Sequence, residues 1–267
     1  MHNVLVIATK SLFAGALLVL CLSSKSLPAQ APDVQEIVRR SVESSRKDWK
    51  NVGEYDYFER ELDEGKSKTY DVVMMLGSRY RRLTAINDQP LSPELAAREE
   101  TLMRKARSDR EHESPAQRQE RVAHYKKETD QQQLFLEELP KAFDFTLAGE
   151  ETLDSRAVYV VKAKPRRGYH PPNTRAKALT GMEGTLWIDA TDFRWARVQA
   201  EVKHAVSIEG FFARVEPGTR FLLEQRPVEG GAWLPTHFSM HTRAKVLLLF
   251  PHNEQDESSY YGYHKSK

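Results

Sequence analysis

Met182-Glu183-Gly184-Thr185-Leu186-Trp187-Ile188-Asp189, a turn near Ala190–Asp192, and then Trp195-Ala196-Arg197-Val198-Gln199-Ala200-Glu201-Val202-Lys203 form the stretch that decides the fold. After the turn, Ala196, Val198, Ala200 and Val202 alternate strictly with Arg197, Gln199, Glu201 and Lys203. Alternation of this kind sends one set of side chains to each face of a pleated strand. It predicts an antiparallel sheet that is wet on one face and covered on the other. The dry set is mostly small. That leaves room above the sheet for a helix or an apolar guest, and plain core packing also accounts for it.

More strands lie on both sides. Glu54–Leu62, Lys68–Leu76 and Arg79–Ile86 are rich in Tyr, Val, Phe and Met and are separated by Asp63-Glu64-Gly65 and Gly77-Ser78, which predicts a three-stranded meander. Phe143–Leu147 and Ala157–Ala163 read as two further strands, joined through Gly149–Ser155. His204–Phe212, Thr219–Arg226 and Trp233–Leu249 continue the pattern toward a tail at Ser258–His264, with turns at Glu216-Pro217-Gly218 and Glu229-Gly230-Gly231. Around nine strands with helices at one end and in the middle make the class α+β, with an antiparallel sheet that must curl and be plugged.

Three helices are expected. Asp33 as N-cap with Glu36 three residues on has the capping-box pattern, and Val34, Ile37, Val38, Val42 and Trp49 recur at helical spacing up to Gly53. Ser92-Pro93 and Ser114-Pro115-Ala116-Gln117 open a charged hairpin over about Pro93–Arg110 and Pro115–Gln133. Its dense Arg, Lys and Glu content fits a solvated insertion, or a movable lid or partner-docking arm. Leu134–Leu139 reads as an apolar bridge back to the sheet, and Lys164–Gly181 as a basic, irregular loop able to meet an anionic group.

The first 31 residues look separate. Lys10 precedes an apolar run from Leu12 to Leu22, followed by Leu27-Pro28-Ala29-Gln30-Ala31. A positive start, a short apolar run and an A-x-A ending predict a secretory signal peptide, cut after Ala29 or Ala31. Cys21, the only cysteine, falls inside it, so the exported chain would have no thiol chemistry. The alternative is a lipoprotein anchored at Cys21, against which the bulky Leu20 argues. Two of the 40 Lys and Arg lie in this segment, so the rest of the chain balances its 38 Asp and Glu. A neutral chain has no electrostatic footprint for nucleic acid.

No chemistry-bearing motif stands out. His237 and His241 share a strand face about 13 Å apart, too far for one zinc. His170, His204, His252 and His264 have no ligand spacing. There is no G-x-S-x-G elbow and no phosphate-binding glycine loop. Glu150 and Glu151 are adjacent and point apart. No catalytic residue, metal or cofactor is expected. Trp187, Trp195, Phe211, Phe212, Phe221, Trp233, Phe238, Met240 and Phe250 instead gather in the C-terminal meander, as core aromatics or as the lining of an apolar site.

Gly149-Glu150-Glu151-Thr152-Leu153-Asp154 leading into Tyr159-Val160-Val161, Gly184–Asp189 with Arg197-Val198, Gly231-Ala232-Trp233-Leu234-Pro235 and Tyr260-Tyr261-Gly262-Tyr263 resemble the lipoprotein-carrier superfamily of the bacterial envelope, the LolA/LolB-like proteins of outer-membrane lipoprotein sorting. The resemblance implies an incomplete (half) β-barrel covered by the N-terminal helix and the inserted helical hairpin. It would span residues 32–267 as one domain, with the insertion at about 92–133. It implies a periplasmic, monomeric, non-enzymatic protein for a lipid or lipoprotein acyl chain. By strand parity the ligand-facing residues are Leu186, Ile188, Val198, Ala200, Leu234, Phe238 and Met240. The charged hairpin is longer and more polar than the family's lid helices. It leaves open a second role, docking an envelope protein partner, and a hydrolase is the third alternative.

Overall fold

The computed structural model describes residues 33–207, 213–246 and 250–266. The expected signal peptide with Cys21, Phe211 and Phe212, and the end of the strand expected at Trp233–Leu249, lie outside the described residues.

Helix α1 (Val34–Asn51) starts where Asp33 accepts a hydrogen bond from the Gln35 amide at 3.0 Å. The reciprocal arm of the capping box is absent, because Glu36 turns outward to Arg39 at 2.7 Å. Four strands follow: β1 (Tyr55–Asp63), β2 (Lys66–Met75), β3 (Ser78–Ile86) and the short β4 (Gln89–Pro90). Their tight turns carry positive φ at both central residues, Glu64-Gly65, Leu76-Gly77 and Asn87-Asp88, which matches the right-handed twist of the strands they join.

The hairpin comprises α2 (Pro93–Glu111) and α3 (Pro115–Ala142). Ser92 caps α2, and Ser114 with Gln117 forms a complete capping box on α3. Leu134–Leu139 is therefore helix rather than a bridge. Burial of Ala142 and packing of Leu139 on the core carry α3 past Pro140.

Strand β5 (Phe143–Leu153) pairs with β6 (Arg156–Pro165) through a two-residue turn at Asp154-Ser155, so Glu150 and Glu151 lie in a strand and not in a connection. The Lys164–Gly181 segment is not irregular throughout. It holds α4 (Thr174–Lys177) and a 3-10 turn (Ala178–Gly181), because Ala176 and Leu179 bury against the sheet assembly. Then come β7 (Met182–Asp189), β8 (Trp195–Val202), β9 (Val206–Ser207), β10 (Ala213–Val215), β11 (Arg220–Pro227), β12 (Trp233–Val246) and β13 (Phe250–Lys265).

These strands make one antiparallel sheet in the order β4-β3-β2-β1-β13-β12-β11-β8-β7-β6-β5, with β9 and β10 attached beside β12. Its two ends do not pair among the described residues, so it is a curved, unclosed sheet: α+β, as expected. Among the described residues thirteen strands stand where about nine were expected, and β13 is a long central strand rather than a tail.

The core fixes which face is inner. Ile37 and Val38 of α1 pack with Phe143, Phe145, Val161, Ala163, Leu186, Ile188, Trp195 and Leu179. A bulge where Trp187 pairs with Arg197 but Ile188 with Trp195 changes the expected alternation. Trp195 takes the inward place, and Ala196 is displaced to a small outer cluster with Val158 and Trp233. Two polar ties hold α1 down. The Trp195 indole donates to Ser41 Oγ at 3.0 Å, and the Arg194 guanidinium pairs with Asp48.

Ile37 is 1% exposed, so Ile37→Ala removes a side chain that the sheet cannot replace. Urea unfolding should show a loss of about 2–5 kcal/mol, the usual cost of such a cavity, whereas Leu102→Ala on the exposed side of α2 should stay within about 0.5 kcal/mol.

Candidate functional site

Cross-strand register carries the inner face through the whole sheet. Leu186 pairs with Val198, Val198 with Leu223, Leu223 with Phe238, and Phe238 with Ser258. One step along, Gly184 pairs with Ala200, Ala200 with Phe221, Phe221 with Met240, and Met240 with Asp256. Side chains in register share a face, so five of the seven predicted ligand-facing residues lie on two adjacent rows, while Ile188 pairs with Trp195 across a bulge and Leu234 with Arg226.

Along those rows the surroundings differ. Leu186 and Ile188 are filled over by α1 and belong to the packed core, with Val198 at its margin. Ala200, Phe221, Phe238 and Met240 are only half-buried, and Phe221 meets Phe238 edge-on at 5.5 Å. Leu234 stands apart. It is fully buried with Tyr55 and Ala232, against Val52, Val228 and Tyr263.

Beyond β12 the same face turns polar and aromatic, which the sequence reading missed. Glu61 pairs with Ser258 and Glu59 with Tyr260, and Glu59 pairs in turn with Tyr70. Arg81 reaches Glu61 at 2.6 Å and Glu59 at 3.2 Å while lying 4.0 Å over the Tyr70 ring. Arg79 sits 5.3 Å over Tyr57 and 5.9 Å from the ring of Tyr125 on α3. Tyr57 packs against Tyr260 and Tyr263, and the Tyr263 hydroxyl donates to the Pro235 carbonyl at 2.7 Å. Parity was the available signal: Tyr57-x-Glu59-x-Glu61 and Arg79-x-Arg81 alternate as clearly as the apolar strands do.

Burial dominates the ionisation of this quarter. It raises the Glu59 carboxyl above the usual range even though Arg81 pulls the other way. It pushes the phenols of Tyr57 and Tyr260 up to about 12, and raises Tyr263 further. Arg79 Nε is buried and makes no hydrogen bond among the described residues.

The hairpin is held at its tip by arginines. Arg110 donates to the carbonyls of Met75, Ser78 and Arg79, and Arg121 donates to Ser78 Oγ and the Leu76 carbonyl while pairing with Glu113 at 2.6 Å. Helix α2 has no buried residue, and Leu95 and Leu102 are exposed.

Among the described residues, no group of three His, Cys, Asp or Glu is placed to hold a metal ion, and no helix is long and apolar enough to cross a membrane.

A scan of family models and a search of curated proteins found no match. Among solved structures, the chain is similar to an outer membrane lipoprotein-sorting protein domain from Vibrio parahaemolyticus, at 10% identity and a TM-score of 0.34, over 85% of this chain and 93% of that one. It is also similar to a LolA superfamily protein from Nitrosomonas europaea, at 12% identity and a TM-score of 0.29, over 87% of this chain and 93% of that one. A chain of the Pseudomonas aeruginosa MucA/MucB complex matches at 10% identity and a TM-score of 0.24, over 88% of this chain and all of its own length.

An alkaline ultraviolet titration of the folded protein should show Tyr57 and Tyr260 ionising near pH 12, well after an exposed phenol, with Tyr260→Phe removing one late step. Because the folded phenols hold their protons more tightly than the unfolded ones, stability should fall as pH rises from about 10 toward 12. Ionisation of all ten tyrosines together near pH 10 would contradict the burial of this quarter.

Proposed function

We propose that the protein is a periplasmic, non-enzymatic binding protein for lipid or lipoprotein acyl chains, of the kind that serves outer-membrane lipoprotein sorting. One observation carries this reading. Ala200, Phe221, Phe238 and Met240 form a contiguous apolar patch on the inner face that stays half-exposed beside the sealed core.

An acyl chain laid along this patch gains about 0.8 kcal/mol per methylene buried, set against the freedom lost on association. Val198 borders the patch. Leu186 and Ile188 form its closed end under α1, and Leu234 supports the strand on the far side. The polar end of the guest faces the tyrosine-lined quarter, where Arg79 has a donor without a partner among the described residues. No step of bond making or breaking is required of any residue.

A second reading, docking of an envelope protein, is favoured by one feature. Helix α2 buries none of its residues yet presents Leu95 and Leu102 to solvent. In that case the hairpin, clipped to the β2–β3 turn by Arg110 and Arg121, is the docking arm.

Protein purified from native membranes should carry lipid detectable by mass spectrometry and should bind a hydrophobic dye that fatty acid displaces. Met240→Glu should weaken the dye at least about tenfold while the protein stays folded, since a charge replaces buried apolar surface. Absence of both lipid and dye binding would contradict the carrier reading. Docking through the hairpin predicts that Leu95→Glu with Leu102→Glu abolishes capture of a partner and leaves dye binding unchanged.

A further inference from the structure

The outer face of the sheet, opposite α1, carries a feature that acyl-chain binding does not use. A groove of about 780 Å³ crosses β6, β7, β8, β11 and β12. A mostly polar row crosses its floor: Thr185 pairs with Gln199, Gln199 with Leu222, and Leu222 with Ser239, with Ala163, Gly184, Ala200 and Phe221 also lining the groove. Lys162, Lys164, Lys203 and Arg220 line it, with His241, against only Glu183 and Glu201. A second hollow of about 410 Å³ shares Arg220 and His241 with it and adds Arg243.

The charges are only partly neutralised within the groove, where Glu201 faces Arg220 across the strands. Lys203 is engaged by Glu201 at 2.7 Å. Lys162, Lys164, Arg220 and Arg243 make no ion pair among the described residues, although most other arginines of the sheet do, as Arg60, Arg81, Arg82, Arg156 and Arg197 show. The chain after its first 31 residues is balanced in charge, so this positive excess is local and not a property of the whole surface.

We propose that this outer groove binds an extended acidic peptide segment of a partner protein. Five strands at about 4.8 Å spacing give a floor of about 19 Å, the length of about six extended residues. The hydroxyl and amide groups of Thr185, Gln199 and Ser239 offer donors and acceptors to the peptide backbone, and the surrounding cations meet its carboxylates. A membrane surface is broad and flat and would touch the rim cations without reaching this floor. By strand parity the polar and charged side chains that line the groove point away from the acyl-chain patch, although Ala200 and Phe221 of that patch also border it.

Fluorescence anisotropy with a fluorescein-labelled hexaglutamate peptide tests the proposal on the exported chain. Saturable binding is expected, weakened by added salt and absent for hexaglutamine. Lys162→Glu with Arg220→Glu should weaken it at least about tenfold, as removal of facing charge pairs does. Ser239→Trp, which fills the groove without changing charge, should weaken it similarly, and Arg98→Glu on the exposed hairpin should not. Unchanged circular dichroism and melting would confirm that each variant folds. The proposal is overturned if hexaglutamate does not bind, if Ser239→Trp binds as well as the parent, or if phosphatidylglycerol vesicles bind through Lys162 and Arg220 while the peptide does not.

Discussion

The structure depends on one contact, the apolar stripe of α1 lying against the inner face of β5–β8. A curved antiparallel sheet that does not close on itself exposes a concave apolar surface, and such a surface must be covered to be stable in water. Ile37 and Val38 supply the cover, and the last turn of α3 and the 3-10 turn at Ala178–Gly181 fill in beside them. The ties from Trp195 to Ser41 and from Arg194 to Asp48 fix the helix along its length, so the cover cannot slide without losing buried hydrogen bonds.

Because α1 spans only part of the inner face, the face is graded and not uniform. Under the helix it is solid. Along β8, β11 and β12 it is apolar but open enough to leave Phe221, Phe238 and Met240 half-exposed. From β13 onward it becomes a layer of tyrosines and crossed Arg–Glu pairs in which burial, rather than any single partner, sets the ionisation. An amphiphile has the same grading, apolar at one end and polar at the other. The outer face has a different logic, with a short apolar cluster at Val158, Ala196 and Trp233 giving way to a cationic groove.

Much of this was legible in the residues. Alternation located β7, β8 and the β1–β3 meander, and the serine caps located both hairpin helices, because these signals are local and act through backbone geometry. Non-local effects were not legible. The bulge at Trp187–Ile188 swaps Trp195 for Ala196 on the inner face, and nothing in the alternating pattern marks it. Strand β13 carries the polar run Asn253–Glu257, and only its Ser258–His264 end stood out, as a tail, yet pairing with β1 and β12 on both sides makes it central. Leu134–Leu139 reads as an apolar bridge back to the sheet, yet α3 runs through it and past Pro140, with Leu139 and Ala142 packed against distant strands. For the site, parity placed Val198, Ala200, Phe238 and Met240 together. It could not tell that Leu186 and Ile188 would be spent on α1, since that depends on where a helix far away in the chain comes to rest.

The central claim is that the uncovered stretch of the inner face, and not the sealed part, receives an apolar chain. The most direct measurement is photolabelling with a diazirine-bearing fatty acid, followed by peptide mapping of the adducts. Labels concentrated on Ala200, Phe221, Phe238 and Met240, with Leu186 and Ile188 unlabelled, are the predicted result. Labels scattered over the outer face, or none at all above a scrambled-exposure control, would contradict it.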